Sequence, residues 1–283
     1  MELRENLWFR NVNFLFQKKM KKSRWKCLGL KLSLSNWVFY RYPLDESIGL
    51  VKKLGFENLE FNMKCVENES EESVYRVKNL INFYGLNCLS VHAATLYAKN
   101  EDEVDLAILY GKVSLNFASQ LSSKILVVHS YVSRKLPKNL RKKFLLKIFD
   151  RLKDYSKRLN VKLALENASL NSEGFGKTIF EFKEILDLID DGSLGVTLDF
   201  CHAQSVNQTF DFLGRFANRL ENVHLGSFLQ GKLDVDNKNL KIFLKRLKDE
   251  DYDGPLTIEI NPRYGFEEIL KTKETVKKIL DDF

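Results

Sequence analysis

Leu194-Gly195-Val196-Thr197-Leu198-Asp199-Phe200-Cys201-His202 is the stretch on which the fold of this chain turns. Gly195 to Leu198 is a short apolar run with two β-branched residues, and it reads as a buried strand. The run stops at Asp199, and His202 follows three residues later. A carboxylate at the end of a buried strand is costly unless it is paired or holds a metal.

The same event recurs on both sides of this stretch. CLSV runs into His92, KILVV into His129 and VKLAL into Glu166. Further on, ENV runs into His224 and PLTI into Glu259. The 4 histidines of the chain all fall at or just past the end of an apolar run. Random placement rarely produces that pattern.

Strand-like runs begin near Leu28, Asn58, Asn87, Lys124, Val161, Leu194, Leu220 and Pro255. Segments of helical periodicity lie between them. Leu44, Ile48, Val51 and Leu54 share one face, and Gly55 is placed to end that helix. Ser70 opens the next helix, with Glu71 and Glu72 in its first turn, and Gly85 closes it. The series continues over 102–121, 137–159, 178–189, 210–220, 239–248 and 266–280. Eight strand–helix units in about 250 residues predict a single-domain (β/α)8 TIM barrel over 28–283. A doubly wound open sheet would carry a Gly-rich phosphate fingerprint after its first strand. None follows Leu28 to Leu34, so no nucleotide cofactor is expected.

The formal charge of +7 is unevenly placed. Residues 1–26 hold a net +6, and the remaining chain is close to neutral. Residues 1–27 therefore read as a basic N-terminal extension, with aromatics at Trp8, Phe9, Phe14, Phe16 and Trp25. Two readings stand for it. Either it is an arm for a partner, or Met20 is the true start and residues 1–19 are not translated; the second is favoured. A near-neutral body is not the footprint of a nucleic-acid surface. The apolar runs are too short to span a bilayer. No secretory signal is seen, and the 4 cysteines show no paired spacing. The expectation is a cytoplasmic protein, with self-association left open.

Glu166, Asp199, His224 and Glu259 end the fifth to eighth strands, which a barrel gathers on one face. Three carboxylates and an imidazole suit Mn²⁺, Zn²⁺, Co²⁺ or Mg²⁺ rather than a thiolate-seeking ion. Glu60 ends ENLE on the second strand and reads equally as a pocket residue or a structural ion-pair partner. Cys201 reads as packed rather than reactive.

At these positions the sequence resembles the xylose isomerase-like barrel superfamily, which includes sugar isomerases, sugar epimerases and endonuclease IV. The motifs are VHA at 91–93, VVHS at 127–130, ENA at 166–168, DFCHA at 199–203, VHL at 223–225 and IEI at 258–260. The resemblance implies that Glu166, Asp199, His224 and Glu259 hold one divalent metal. It also implies that Glu166 and Glu259 are an acid–base pair moving a proton next to a carbonyl, through an enediolate. The position of His202 contacts substrate oxygens in such enzymes. Several ketose epimerases carry an Arg six residues after the strand-seven histidine, where this chain has Gln230.

The alternative is an endonuclease IV-like phosphodiesterase acting on abasic DNA. Its extra metal ligands would match His92, His129, His202 and Asp234. Asp236 stands where that family has a histidine. His92 and His129 read equally as further ligands or as groups that hydrogen-bond substrate. Ser130-Tyr131 replaces the nuclease Pro-Gly, which places the nuclease second. Basic residues Lys232 and Arg263, in the loops after strands seven and eight, suggest a sugar phosphate as substrate.

Overall fold

Eight parallel strands pair in chain order, and the last closes onto the first. They are β1 (Lys31–Ser35), β2 (Asn58–Asn62), β3 (Asn87–His92), β4 (Ile125–Val128), β5 (Lys162–Glu166), β6 (Gly195–Asp199), β7 (Leu220–Leu225) and β8 (Pro255–Ile258). The computed structural model describes residues 30–226, apart from 67 and 69, and residues 238–282. The basic extension of residues 1–27 lies outside the described residues.

Helices surround the barrel. They are α1 (Leu44–Lys53), α2 (Glu71–Phe83), α3 (Glu101–Gln120), α4 (Lys138–Leu159), α5 (Ile179–Ile189), α6 (Phe200–Ser205), α7 (Thr209–Phe216), α8 (Lys238–Asp249) and α9 (Phe266–Asp281). Their starts are written locally. The Ser70 side chain accepts the Ser73 amide at 3.2 Å to open α2. Asn100 accepts the Glu103 amide at 2.9 Å, while Glu103 accepts the Lys99 amide at 2.9 Å, so α3 begins with a reciprocal cap. Thr178 and Glu181 build the same device at α5.

The basic α4 and the acid-bearing α5 attract each other, as their sequences suggest. Glu184 takes both Lys138, at 3.2 Å, and Lys142. Lys157 meets Asp191 at 2.7 Å. On its other side, α4 reaches Glu101 and Asp105 of α3 through Lys143 and Lys147. Such exposed pairs contribute at most about 1 kcal/mol each, so they orient helices that burial already holds.

The core has two parts. Side chains alternate across each strand. Leu32, Leu34, Leu59, Phe61, Leu163, Leu165, Val196 and Leu198 face the helices in one large apolar cluster. The lumen is different. Its separate apolar cluster contains Ile125, Val127 and Ala164. Around it stand Ser33, Glu60, Ser90, Thr197, Asn222 and Thr257, all 0% exposed. A barrel lumen is ordinarily filled by layers of Val, Ile and Leu. Here polar side chains fill much of it and support what lies above.

The described first strand is Lys31–Ser35, and Leu28, near which its run was expected to begin, lies outside the described residues. The helix expected over 210–220 stops at Phe216 and tightens into a 3-10 turn, Ala217–Arg219, before β7. The segment after Asp199 forms the short α6. It forms because Asp199 Oδ1 accepts the His202 amide at 2.7 Å.

Candidate metal centre and active site

Glu166 sits at the centre of the site, at the end of β5 and 1% exposed. Two groups of side chains meet on it. In the first, one ligand atom from each of Glu166, Asp199, His224 and Glu259 lies within 4.8 Å of all the others. His224 Nδ1 is 3.4 Å from Glu166 Oε1 and 2.9 Å from Glu259 Oε2. Despite that proximity, Nδ1 makes no hydrogen bond, and Glu166 Oε2 is likewise buried without one. A buried ring nitrogen that faces two carboxylates without a hydrogen bond is an arrangement that a cation satisfies. The donor set, three carboxylates and one imidazole, fits a divalent ion of the Mn²⁺, Zn²⁺, Co²⁺ or Mg²⁺ type.

In the second group, His92 Nε2 and His129 Nε2 lie 3.5 and 3.4 Å from Glu166 Oε2. Their rings are 5.0 Å apart. His92 Nδ1 lies 3.3 Å from the Ala93 carbonyl, which as acceptor would leave Nε2 with the lone pair in a neutral ring. His129 stacks on the Tyr131 ring, 4.5 Å away and nearly parallel.

The charges shape one another. Burial opposes ionisation of Glu166, but the imidazoles of His129, His224 and His92 outweigh it and hold the carboxyl well below its ordinary range. Burial pushes Asp199 up, and the neighbouring Glu166 charge adds to that. Burial also works against a charged His224, yet Glu60, Glu166 and Glu259 together raise it well above the usual imidazole value. His129 goes the other way. Burial lowers it to about 4.

His202 stands beside both groups on α6. Its Nδ1 meets the Asn167 carbonyl oxygen at 2.8 Å. Asn167 also ties β5 to β6, since its side chain accepts the Asp199 amide at 2.7 Å and donates to the Asp199 carbonyl at 3.1 Å. Asn167 therefore positions Asp199 through its side-chain amide and His202 through its backbone carbonyl. The close approach of β7 and β8 requires Gly226, where a Cβ would meet the Glu259 carbonyl oxygen at 2.7 Å.

The groups open into a cavity of about 180 Å³. Trp37, Lys64 and Tyr131 are among its walls. Tyr131 keeps its place because residue 174 is glycine, where a Cβ would strike the ring at 2.9 Å. The loops after β3, β4 and β5 are stitched together by bridges at Ala98–Val132 and Tyr131–Gly174. Glu173 binds across them, accepting the Arg134 amide at 2.9 Å.

The six residues His92, His129, Glu166, Asp199, His202 and His224 thus come together, with Glu259 beside them, as their strand-end positions anticipate. Arg263 is not among the described residues lining this cavity; its guanidinium lies over Tyr264, 4.8 Å from the ring centre. Lys232, Asp234, Asp236 and Gln230 lie outside the described residues. Sequence reasoning did not single out Asn167, Trp37 or Lys64 as site residues. Asn167 was within reach, because it sits inside the ENA motif.

Glu60 is the other residue whose role only the structure resolves. It is 0% exposed and lies beneath His224, whose Nε2 is 3.1 Å from Glu60 Oε2. The same oxygen accepts from Ser90 Oγ at 2.8 Å and from Asn222 Nδ2 at 2.9 Å.

Comparison with known proteins adds three findings. The family model described as xylose isomerase-like TIM barrel matches residues 48–281. An uncharacterized protein of Methanocaldococcus jannaschii is 26% identical over 286 residues, covering 92% of each chain. Among solved structures, a D-tagatose 3-epimerase-like protein superposes with TM-score 0.77 at 24% identity, over 89% of this chain and 97% of that one. The 3-keto-D-glucoside 4-epimerase YcjR of E. coli gives TM-score 0.71 at 15% identity, over 89% and 97%. These superpositions establish the barrel. One named neighbour is a sugar epimerase and the other is described as epimerase-like. No described helix is long and apolar enough to cross a membrane.

Proposed function

The chain belongs to the xylose isomerase-like TIM-barrel family, and from that premise we propose that it is a divalent-metal-dependent isomerase or epimerase of a sugar or sugar phosphate. The carrying observation is the cluster of Glu166, Asp199, His224 and Glu259 around one point at the mouth of the barrel. The sugar epimerase and the epimerase-like protein among its structural neighbours support the same reading.

Glu166, Asp199, His224 and Glu259 would hold the ion. A divalent ion held there would supply Lewis acidity to a substrate carbonyl. Glu166 and Glu259 both line the cavity. One takes the proton from the carbon beside the carbonyl, and the other returns it from its own side. His202, held through Nδ1 by Asn167, presents Nε2 to substrate hydroxyls. The walls at Trp37 and Tyr131 leave room on the scale of one sugar ring and shield the reacting carbon from water.

The test is metal content per chain, followed by assay on a ketose panel. One ion per chain and turnover that vanishes in both Glu166→Gln and Glu259→Gln are expected. Full activity in both variants would overturn the assignment. A second reading rests on the His92, His129 and Glu166 group, which could hold another ion, as in an endonuclease IV-like phosphodiesterase. Three ions per chain and cleavage of an abasic-site duplex would select it.

A further inference from the structure

Glu60 belongs to none of the roles assigned so far, yet it is among the most constrained polar groups in the molecule. It comes from β2, and its partners Asn222 and His224 come from β7. Those strands are not neighbours in the barrel, so the contacts cross the lumen. Ser90 from β3 and Thr257 from β8 complete the layer, the latter by donating to Asn222 Oδ1 at 3.1 Å. Four strands could not place these polar groups together by packing alone. A buried carboxylate persists only when donors meet it.

We propose that Glu60 is a positioning residue that locks the His224 ring with its proton on Nε2, so that Nδ1 faces Glu166, Asp199 and Glu259 as the metal-binding atom. This rests on the four-residue cation site proposed above. The geometry gives each nitrogen one task. Nε2–H donates downward to Glu60 at 3.1 Å. Nδ1 points upward, 2.9 Å from Glu259 Oε2, with no hydrogen bond of its own. Ser90 and Asn222 fix the accepting oxygen from two further directions, so the ring cannot turn without breaking the layer. A carboxylate behind an imidazole also raises the electron density at the opposite nitrogen, which strengthens it as a ligand. A glutamine in its place would present a neutral oxygen to three donors. Its own NH₂ would add a fourth donor where acceptors are needed.

The experiment is calorimetric titration of metal-free wild-type protein and Glu60→Gln with Mn²⁺ and with Zn²⁺, alongside circular dichroism to show that both are folded. Affinity weaker by about 10- to 100-fold in the folded variant is the expected result. A loss of thermal stability with affinity within twofold of wild type would assign Glu60 a merely structural role and overturn the proposal. A second measurement does not depend on the variant folding. In Zn²⁺-loaded wild type carrying ¹⁵N-histidine, the NMR spectrum should show His224 protonated on Nε2 and metal-bound on Nδ1. The reverse tautomer overturns the proposal. Wild-type protein that takes up neither ion overturns the cation site itself, and this inference with it; equal affinity in Glu60→Gln overturns this inference alone.

Discussion

The two groups that share Glu166 differ less in position than in charge. Glu166, Asp199, His224 and Glu259 put three carboxylates against one imidazole, all largely removed from water. His92, His129 and Glu166 put two imidazoles against one carboxylate. The first set carries three carboxylates against one imidazole, and under the proposed function a divalent ion would complete it. The second is close to balanced by itself, and burial keeps His129 neutral down to about pH 4. Proximity of ligand-type residues is therefore not the same as need for a metal. The chemical content of the site lies in which group needs one.

The largest expected effect breaks or upholds that distinction directly. Asp199→Ala or His224→Ala should abolish stoichiometric metal binding and lower turnover by 10³-fold or more, on the order of the electrostatic stabilisation lost. His129→Ala should keep one ion per chain and lower kcat/KM by roughly tenfold, the worth of one good hydrogen bond to substrate. Metal analysis beside steady-state kinetics reads both. Loss of an ion in His129→Ala would erase the distinction.

Chelation sharpens the comparison at a smaller scale. An ion present at a hundred times its dissociation constant stabilises the folded state by about 2.7 kcal/mol. Its removal should lower Tm by about 5–10 °C in a chain of this size. The same chelation of Asp199→Ala should leave Tm unchanged, as differential scanning calorimetry would show.

Acid should act on the balanced group. The unfolded chain binds a proton on the residue-129 imidazole near pH 6.5, and the folded chain only near pH 4. The unfolded state thus holds more protons in that window, and stability contributed by neutral His129 is lost as pH falls through it. The loss reaches about 3 kcal/mol at the bottom of the window. His92 and His202 oppose this trend, because their charged forms are favoured in the fold. Urea titrations of metal-free His129→Asn should show less acid destabilisation than wild type between pH 6.5 and 4. The smallest effect is expected far from either group. Lys142→Ala, which removes one partner of Glu184, should cost less than about 1 kcal/mol and leave activity untouched.

Particular residues show why some of this was legible beforehand and some was not. Asp199, His224 and the strand-end position of Glu259 can be read because an apolar run that stops at a ligand-type side chain is a local pattern. Repeated around a barrel, that pattern converges by topology. Asn167 is adjacent to a recognised motif, but its grip on Asp199 spans two strands and has no sequence spacing of its own. Glu60 was equally compatible with a pocket or an ion pair, because β2 is buried on both faces and alternation cannot say which face is the lumen. Arg263 and Tyr264 show the converse: a basic residue in the expected loop stacks on its neighbour.

By itself, the sequence determined the eight-unit alternation, the helix starts at Ser70 and Thr178, and the identity of the residues that could meet a cation. These depend on interactions within a few residues, or on a hydrophobic period that needs no partner to be seen. Only closure of the barrel decided that Glu60 stands beneath His224, that Glu166 is shared between two unlike groups, and that His129 and His224 shift in opposite directions, the first lowered by burial and the second raised by the carboxylates around it. Those facts depend on distances across a lumen between strands far apart in the chain. Electrostatics at such distances is set by what surrounds a charge, and nothing in the linear order of residues records that.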